Sequence, residues 1–166
     1  MWWRRSRVTG APRHLPTWRS DRVAYLFDTD ALSEAMRRAP NPIYRAWLAT
    51  VPRQQQYASA VSIGELFQGA YRSERRDALL ARIDDWVLPA VTVLPFDVGT
   101  ARVFGEIQAQ LESRGISPGD ADVQIAATAI RHGLALVTGN VRHHARVPGL
   151  TLERVLADAR RLNQPR

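Results

Sequence analysis

The fold of this chain is decided by residues 23–28, which read Val-Ala-Tyr-Leu-Phe-Asp. The first five form a continuous apolar run, typical of a β-strand that is buried on both faces, and the run ends at Asp28. Short apolar runs that alternate with amphipathic stretches are typical of βα units. We therefore predict an α/β fold with a parallel sheet, whose further strands lie at residues 56–60, 91–94, 134–137 and near 150–152.

Helical spacing of apolar residues marks the segments between these strands. Pro40 ends the first helix, and Gly115 and Gly133 end the last two. The length of 166 residues suits one compact domain. The predicted helices span residues 31–38, 43–49, 62–71, 75–86, 97–113 and 117–132.

The composition excludes several classes of protein. All 23 positively charged residues are arginine and there is no lysine, so P-loop ATPases, Schiff-base enzymes and Ser-Lys hydrolases are excluded. The absence of cysteine excludes disulfides and thiolate metal sites, and it suits the reducing cytoplasm, where we expect the protein to act. No apolar run reaches about 18 residues, so we expect no membrane span.

The charge is concentrated in residues 1–22, which carry +5 of the net +7 and three of the five tryptophans. This composition favours a disordered arm, because it offers little apolar surface to bury. Nucleic-acid binding by the arm is an alternative, and so is a start codon assigned too far upstream. Residues 23–166 form the predicted domain.

Polar residues at the carboxyl ends of parallel strands are the first candidates for a site. Asp28 is such a residue, although it could also be a solvated or capping carboxylate. Asp30 precedes a helix and suits an N-cap. Asp122 lies on the apolar face of its predicted helix, where a charge is costly unless it is paired or bound to a metal.

Other polar residues have structural alternatives. Glu65 follows Ser62 by three residues, as Asp120 follows Ser117, and this spacing is that of a capping box. His143 and His144 are adjacent, so they cannot chelate from one helix face, and a surface loop is the simplest expectation for both.

Asp28, Glu65 and Asp122 come from three segments that could meet at one edge of the sheet. Carboxylates crowded together raise one another's pKa unless a cation compensates, and oxygen ligands suit Mg²⁺ or Mn²⁺. Bound Mg²⁺ can activate water and neutralise the charge that develops on a phosphodiester. The three acids therefore suggest a nuclease.

Four motifs follow one another along the chain: Phe-Asp-Thr-Asp at 27–30, Ser-Ile-Gly-Glu-Leu at 62–66, Asp-Ala-Asp-Val-Gln-Ile-Ala-Ala-Thr-Ala at 120–129, and Leu-Val-Thr-Gly-Asn at 136–140. In their order and spacing, these motifs resemble those of a known family, the PIN-domain toxins of the VapBC type, over about residues 23–152. The resemblance implies a metal-dependent endoribonuclease with a three-layer α/β/α fold, inhibited by a VapB-like antitoxin and often homodimeric, and we expect these properties here.

The resemblance implies roles for individual residues. Asp28, Glu65 and Asp122 match the family's acidic metal site, and Asp120 is a possible further member. Asn140 stands where relatives carry a fourth acid or Asn, so it would orient water or a ligand. Its neighbours also have implied roles: Thr138 would support that corner, and Arg142 and Arg146 would contact RNA phosphates. The chain departs from the family in its arm of 22 residues and in His144, where many relatives have Phe.

Two other interpretations remain open. A haloacid-dehalogenase-like phosphatase would use Asp28 and Asp30 as its Asp-x-Asp motif, but it expects a lysine. A non-catalytic binding module with an acidic pocket, such as a receiver-like domain, would usually also have a lysine near the last strand.

Overall fold

The computed structural model describes residues 23–117 and 119–163, so the predicted disordered arm, residues 1–22, lies outside the described residues. The described strands form one five-stranded sheet in the order β3-β2-β1-β4-β5, and every pair is parallel. The parallel sheet predicted from the sequence is confirmed. Its strands are β1 (Tyr25–Phe27), β2 (Gln56–Ser59), β3 (Thr92–Leu94), β4 (Ala135–Val137) and β5 (Leu152–Glu153).

Helices connect the strands and cover the sheet. A 3-10 turn at Arg53–Gln55 precedes β2, and a π-helical turn at Ile83–Val87 continues α4. The helices are α1 (Thr29–Ala35), α2 (Pro42–Leu48), α3 (Ala60–Tyr71), α4 (Arg76–Arg82), α5 (Val98–Glu112), α6 (Asp120–Arg131), α7 (Val141–His144) and α8 (Val155–Leu162).

The central strand β1 explains the layers. Its side chains alternate between the two faces of the sheet, as in any strand. Tyr25 and Phe27 pack into a core shared with α1 to α4 and α8, whereas Leu26 packs on the other face with Ile125 of α6. All three strand residues are buried, as the uninterrupted apolar run predicts. The result is the expected three-layer α/β/α arrangement.

The predicted starts of three helices are wrong. Asp28, not Asp30, caps α1, because its carboxylate accepts the Ala31 N–H. α3 begins at Ala60, directly after β2, and its cap is Ser59, whose hydroxyl accepts the Ser62 N–H. Ser62 therefore lies inside the helix and forms no capping box with Glu65.

The third correction concerns α6. This helix begins at Asp120 after Gly119, which provides no side-chain cap, so Ser117 does not begin it and forms no capping box with Asp120. The carboxylate of Asp120 instead accepts a 3.3 Å hydrogen bond from the side chain of Gln108 on α5. Among the described residues, no helix combines the length and apolar character needed to cross a membrane.

Candidate active site

Asp28 is the buried acid of the site. It follows β1 directly, and only 4% of the residue is exposed. Burial raises the pKa of Asp28 from 3.8 to about 7, although hydrogen bonds with Thr138 and Ala31 lower it. The charges of Asp30 and Asp122 raise this pKa further. An ionised Asp28 is therefore costly unless a positive charge lies nearby.

Asp122 lies in the first turn of α6, and the fold brings it to the same place. Its Oδ1 lies 3.9 Å from Nε2 of His144, and Oδ2 of Asp28 lies 3.9 Å from the same nitrogen. The other oxygen of Asp122 contacts Nδ1 of His143 at 3.2 Å. Two of the three predicted acids thus meet at the carboxyl edge of the sheet, where both approach the same imidazole nitrogen of His144.

Glu65 projects from α3 towards the start of α1. Its carboxylate accepts a hydrogen bond from the hydroxyl of Thr29, the residue after Asp28. Because Ser59 caps α3, Glu65 does not take part in the capping box that its spacing from Ser62 suggested. Glu65 is therefore tied to the residue next to the buried acid.

Of the remaining predicted residues, Thr138 contacts the buried acid, because its side chain hydrogen-bonds with Asp28. Asp120 is exposed at the first residue of α6, where its carboxylate accepts the hydrogen bond from Gln108. Thr138 is buried at the end of β4, and its Oγ1 accepts a 2.9 Å hydrogen bond from the backbone N–H of Asn140. Asn140 itself is exposed and precedes α7, and Arg142 and Arg146 are exposed just beyond it.

The expectation that the histidines lie in a surface loop is wrong. Both lie on α7, and His144 is buried, with 2% of the residue exposed. Desolvation by burial lowers the pKa of His144, while the charge of Asp122 raises it. The sequence offered one signal, because an aromatic residue in relatives at this position indicates a buried side chain. The Nδ1 atom of His144 makes no hydrogen bond with any described residue.

The sequence also did not predict the ion pairs of Arg160. This residue of α8 binds Asp30 and Glu34 of α1, 130 and 126 residues away in the sequence. Asp30 is therefore an ion-pair partner rather than a cap. A pairing between two ends of the chain leaves no local pattern that could have predicted it.

The donor chemistry of the edge fits a divalent cation. Asp28 and Asp122 offer carboxylate oxygens, and the raised pKa of Asp28 reflects burial and repulsion that a bound cation would offset. Within residues 23–117 and 119–163, no three His, Asp or Glu side chains lie close enough together to hold a metal ion. Oxygen donors of this kind favour Mg²⁺ or Mn²⁺.

The fold and the site define a class of protein, namely parallel α/β/α domains with acids at the carboxyl edge of the sheet. The particular family is the PIN domain, whose sequence pattern matches residues 25–150, and the chain belongs to this family.

Individual relatives and structures agree with this assignment. The toxin FitB of Neisseria gonorrhoeae is 33% identical over 118 residues, covering 68% of this chain and 85% of FitB. Ribonuclease VapC2 of Haemophilus influenzae is 33% identical over 131 residues, covering 79% of this chain and 97% of VapC2. The crystal structure of VapBC2 from Rickettsia felis, bound to a DNA fragment from their promoter, is similar with a TM-score of 0.72. The two sequences are 26% identical, and the match covers 79% of this chain and 98% of the chain in that structure.

Proposed function

We propose that this protein is a metal-dependent endoribonuclease and the toxin of a toxin–antitoxin pair. The observation that carries the proposal is the meeting of Asp28 and Asp122 at the carboxyl edge of a PIN-domain sheet, beside His144. The relatives named a toxin and a ribonuclease support the same activity.

Asp28, Glu65 and Asp122 would hold Mg²⁺, for which Mn²⁺ can substitute. The bound cation would lower the pKa of a water molecule and neutralise the charge developing on the phosphodiester. The hydrogen bonds of Asp28 with Thr138 and Ala31 fix the direction of its carboxylate.

The residues around these acids would handle the RNA. Arg142 on α7 and Arg146 just after it are exposed, on the segment that carries His143 and His144, and their guanidinium groups would contact RNA phosphates. Asp120 would be a further member of the acidic set, whereas Asn140 would orient water or the RNA strand rather than add charge.

The second acid that the phosphatase alternative requires is already paired with an arginine. It would use Asp30 together with Asp28, but both oxygens of Asp30 are bound by Arg160 at 2.6 and 2.9 Å. This bidentate ion pair occupies both oxygens of Asp30, so neither oxygen is free to act on a substrate. No structural observation favours the phosphatase or the binding module.

RNA cleavage by purified protein tests the activity. The wild type should cleave structured RNA with Mg²⁺ or Mn²⁺ and stop on chelation, whereas Asp122→Asn and Glu65→Gln should each lose at least about 100-fold in kcat. Ser59→Ala is the matched control for Glu65, since it removes the true cap of α3. It should cost about 1 kcal/mol of stability and keep cleavage. Full cleavage by Glu65→Gln would remove Glu65 from the site, and hydrolysis of a phosphomonoester alone would favour the phosphatase.

The partner proposal follows from the relatives. The similar structure is that of VapBC2 bound to a DNA fragment from their promoter, and we infer that a VapB-like antitoxin neutralises this chain, which would itself be a homodimer. Induction of the protein alone should arrest growth, and co-expression of the antitoxin should relieve the arrest. An arrest that Asp122→Asn still causes would contradict a ribonuclease toxin.

A further inference from the structure

Arg160 of the C-terminal helix joins α8 to the start of α1. Its Nη1 lies 2.6 Å from Oδ2 of Asp30, and its Nη2 lies 2.9 Å from Oδ1, so the pair is bidentate. The same Nη2 also lies 3.0 Å from Oε2 of Glu34. One guanidinium thus binds two carboxylates of one helix, a geometry that a planar fork of donors provides and a lysine does not.

Glu34 explains why this contact is strong. It is buried, with 3% of its side chain exposed, and its other oxygen accepts a 2.8 Å hydrogen bond from the backbone N–H of Asn41. A buried carboxylate needs a partner of opposite charge. Arg37 also contacts Glu34, at 3.4 Å, but its side chain is 65% exposed. Arg160 is the better buried of the two cations, and Glu34 fixes it in place.

The fixed guanidinium lies against the turn that follows β4. A Cβ atom added to Gly139 would come closer than van der Waals contact to Nη1 of Arg160 and Oδ2 of Asp30. Gly139 separates Thr138, which hydrogen-bonds with Asp28, from Asn140. The ion pair therefore packs directly on the segment that lines the acidic edge.

Asp30 is also close to the site along the chain. It lies two residues after Asp28, which is one of the proposed ligands of the cation. If Asp30 were unpaired, it would be a further carboxylate available to that cation.

We propose that Arg160 is a positioning residue of the active site, which holds Asp30 against the turn at Gly139 and so keeps it from competing for the cation. This inference rests on the proposed metal-dependent cleavage. It extends the functional machinery to the C-terminal helix, which contributes no acid to the edge.

The test compares four full-length proteins: wild type, Arg160→Gln, Arg160→Gln with Asp30→Asn, and Arg161→Gln. Glutamine keeps hydrogen-bond donors near Glu34 but lacks the charge. Arg161 is the matched control, because it lies on the same helix and pairs only with Asp158, within that helix, among the described residues. Steady-state cleavage gives kcat and KM, and calorimetric titration with Mn²⁺ gives a readout independent of turnover.

Arg160→Gln should lower kcat at least about 10-fold and leave the KM for RNA within about 2-fold, because the residue positions the site and does not bind the substrate. Mn²⁺ should bind about 5-fold more tightly, the size of a screened attraction between a freed carboxylate and a divalent cation. Adding Asp30→Asn should return both values towards wild type, and Arg161→Gln should match wild type.

Three results would overturn the proposal. The first is a lower melting temperature with unchanged kcat and Mn²⁺ affinity, which would make Arg160 purely structural. The second is a raised KM with unchanged kcat, which would make it an RNA contact. The third is a loss of kcat that Asp30→Asn does not rescue.

A replacement variant and the behaviour of wild type cover the cases in which the main comparison fails. If Arg160→Gln does not fold, Arg160→Lys replaces it, since lysine keeps the charge and loses the bidentate contact. This variant should show a smaller fall in kcat with unchanged KM, and an unaltered kcat would contradict the proposal. If wild type neither binds Mn²⁺ nor cleaves RNA, the proposed function fails and this inference fails with it, which is distinct from failure of the Arg160 variants alone.

Discussion

The imidazole of His144 faces the carboxylate of Asp28, with Nε2 3.9 Å from Oδ2, and both side chains are buried. Burial acts on the two groups in opposite directions. It lowers the pKa of His144, because the charged imidazolium is disfavoured, and it raises the pKa of Asp28 to about 7, because the carboxylate is disfavoured. Near neutral pH, the protein without metal therefore has two neighbouring groups that resist charge.

His144→Phe should change how stability depends on pH. The unfolded chain binds a proton at His144 more readily than the folded protein, so wild type loses stability as the pH falls through the ordinary value of 6.5. Phenylalanine removes this loss. Urea unfolding in EDTA should therefore show the variant gaining on wild type between pH 7.5 and 5, by at most about 1.4 kcal/mol per pH unit. Parallel pH profiles for the two proteins would contradict a desolvated His144.

Asp28→Asn should stabilise the metal-free protein at neutral and higher pH. The folded pKa of about 7 exceeds the ordinary 3.8, so the folded state binds more protons between these values and stability falls as the pH rises through them. Asparagine carries no charge and can still accept the Ala31 N–H at the start of α1. The gain should be about 1–4 kcal/mol at pH 8 and vanish near pH 4.

The measurement is urea unfolding at both pH values, in EDTA and again with Mg²⁺. The cation should stabilise wild type more than the variant, because a ligand that binds only the folded state stabilises it. If the variant were less stable than wild type at pH 8, the ionised carboxylate of Asp28 would not destabilise the folded protein, and the prediction would be wrong.

The sequence predicted those features of the fold that depend on local pattern. The strands β1 and β4 were predictable because each is a short apolar run that lies inside the sheet, with hydrogen-bonded neighbours on both sides. The place of Asp28 at the carboxyl edge of the sheet was predictable because it ends such a run. The start of α3 was not, because β2 passes into the helix with no loop, and two serines three residues apart both look like caps.

The features that the sequence could not predict depend on tertiary contacts. The burial of His144 is set by the packing of the short helix α7 against the acidic edge, and four residues are too few to show a period. The pairing of Arg160 with Asp30 spans 130 residues. The site residues taken from the family resemblance stay predictions until cleavage by the variants is measured.

Gly139→Ala should destabilise the protein, because its Cβ would meet the ion pair of Arg160 and Asp30. We expect a cost of about 1–3 kcal/mol, typical of a methyl group forced into a packed site. Gly69→Ala is the control. Gly69 lies exposed in α3 with no atom near the place of its Cβ, so alanine should stabilise that helix by about 1 kcal/mol. Equal effects of the two substitutions on the melting temperature would show that the turn at Gly139 can move aside freely.

A chain that starts at Val23 should keep the fold and the activity. Every described strand and every proposed site residue lies after Arg22, although residues 1–22 carry +5 of the net charge of +7. The shortened chain should match the full chain in melting temperature, in its response to Mg²⁺ and in RNA cleavage. Its nonspecific affinity for RNA should be weaker at low salt, and the difference should shrink as salt rises, because arginine contacts with phosphates depend on counterion release. If removal of these residues unfolds the protein or abolishes cleavage at both salt concentrations, the basic segment belongs to the working domain and the boundary at residue 23 is wrong.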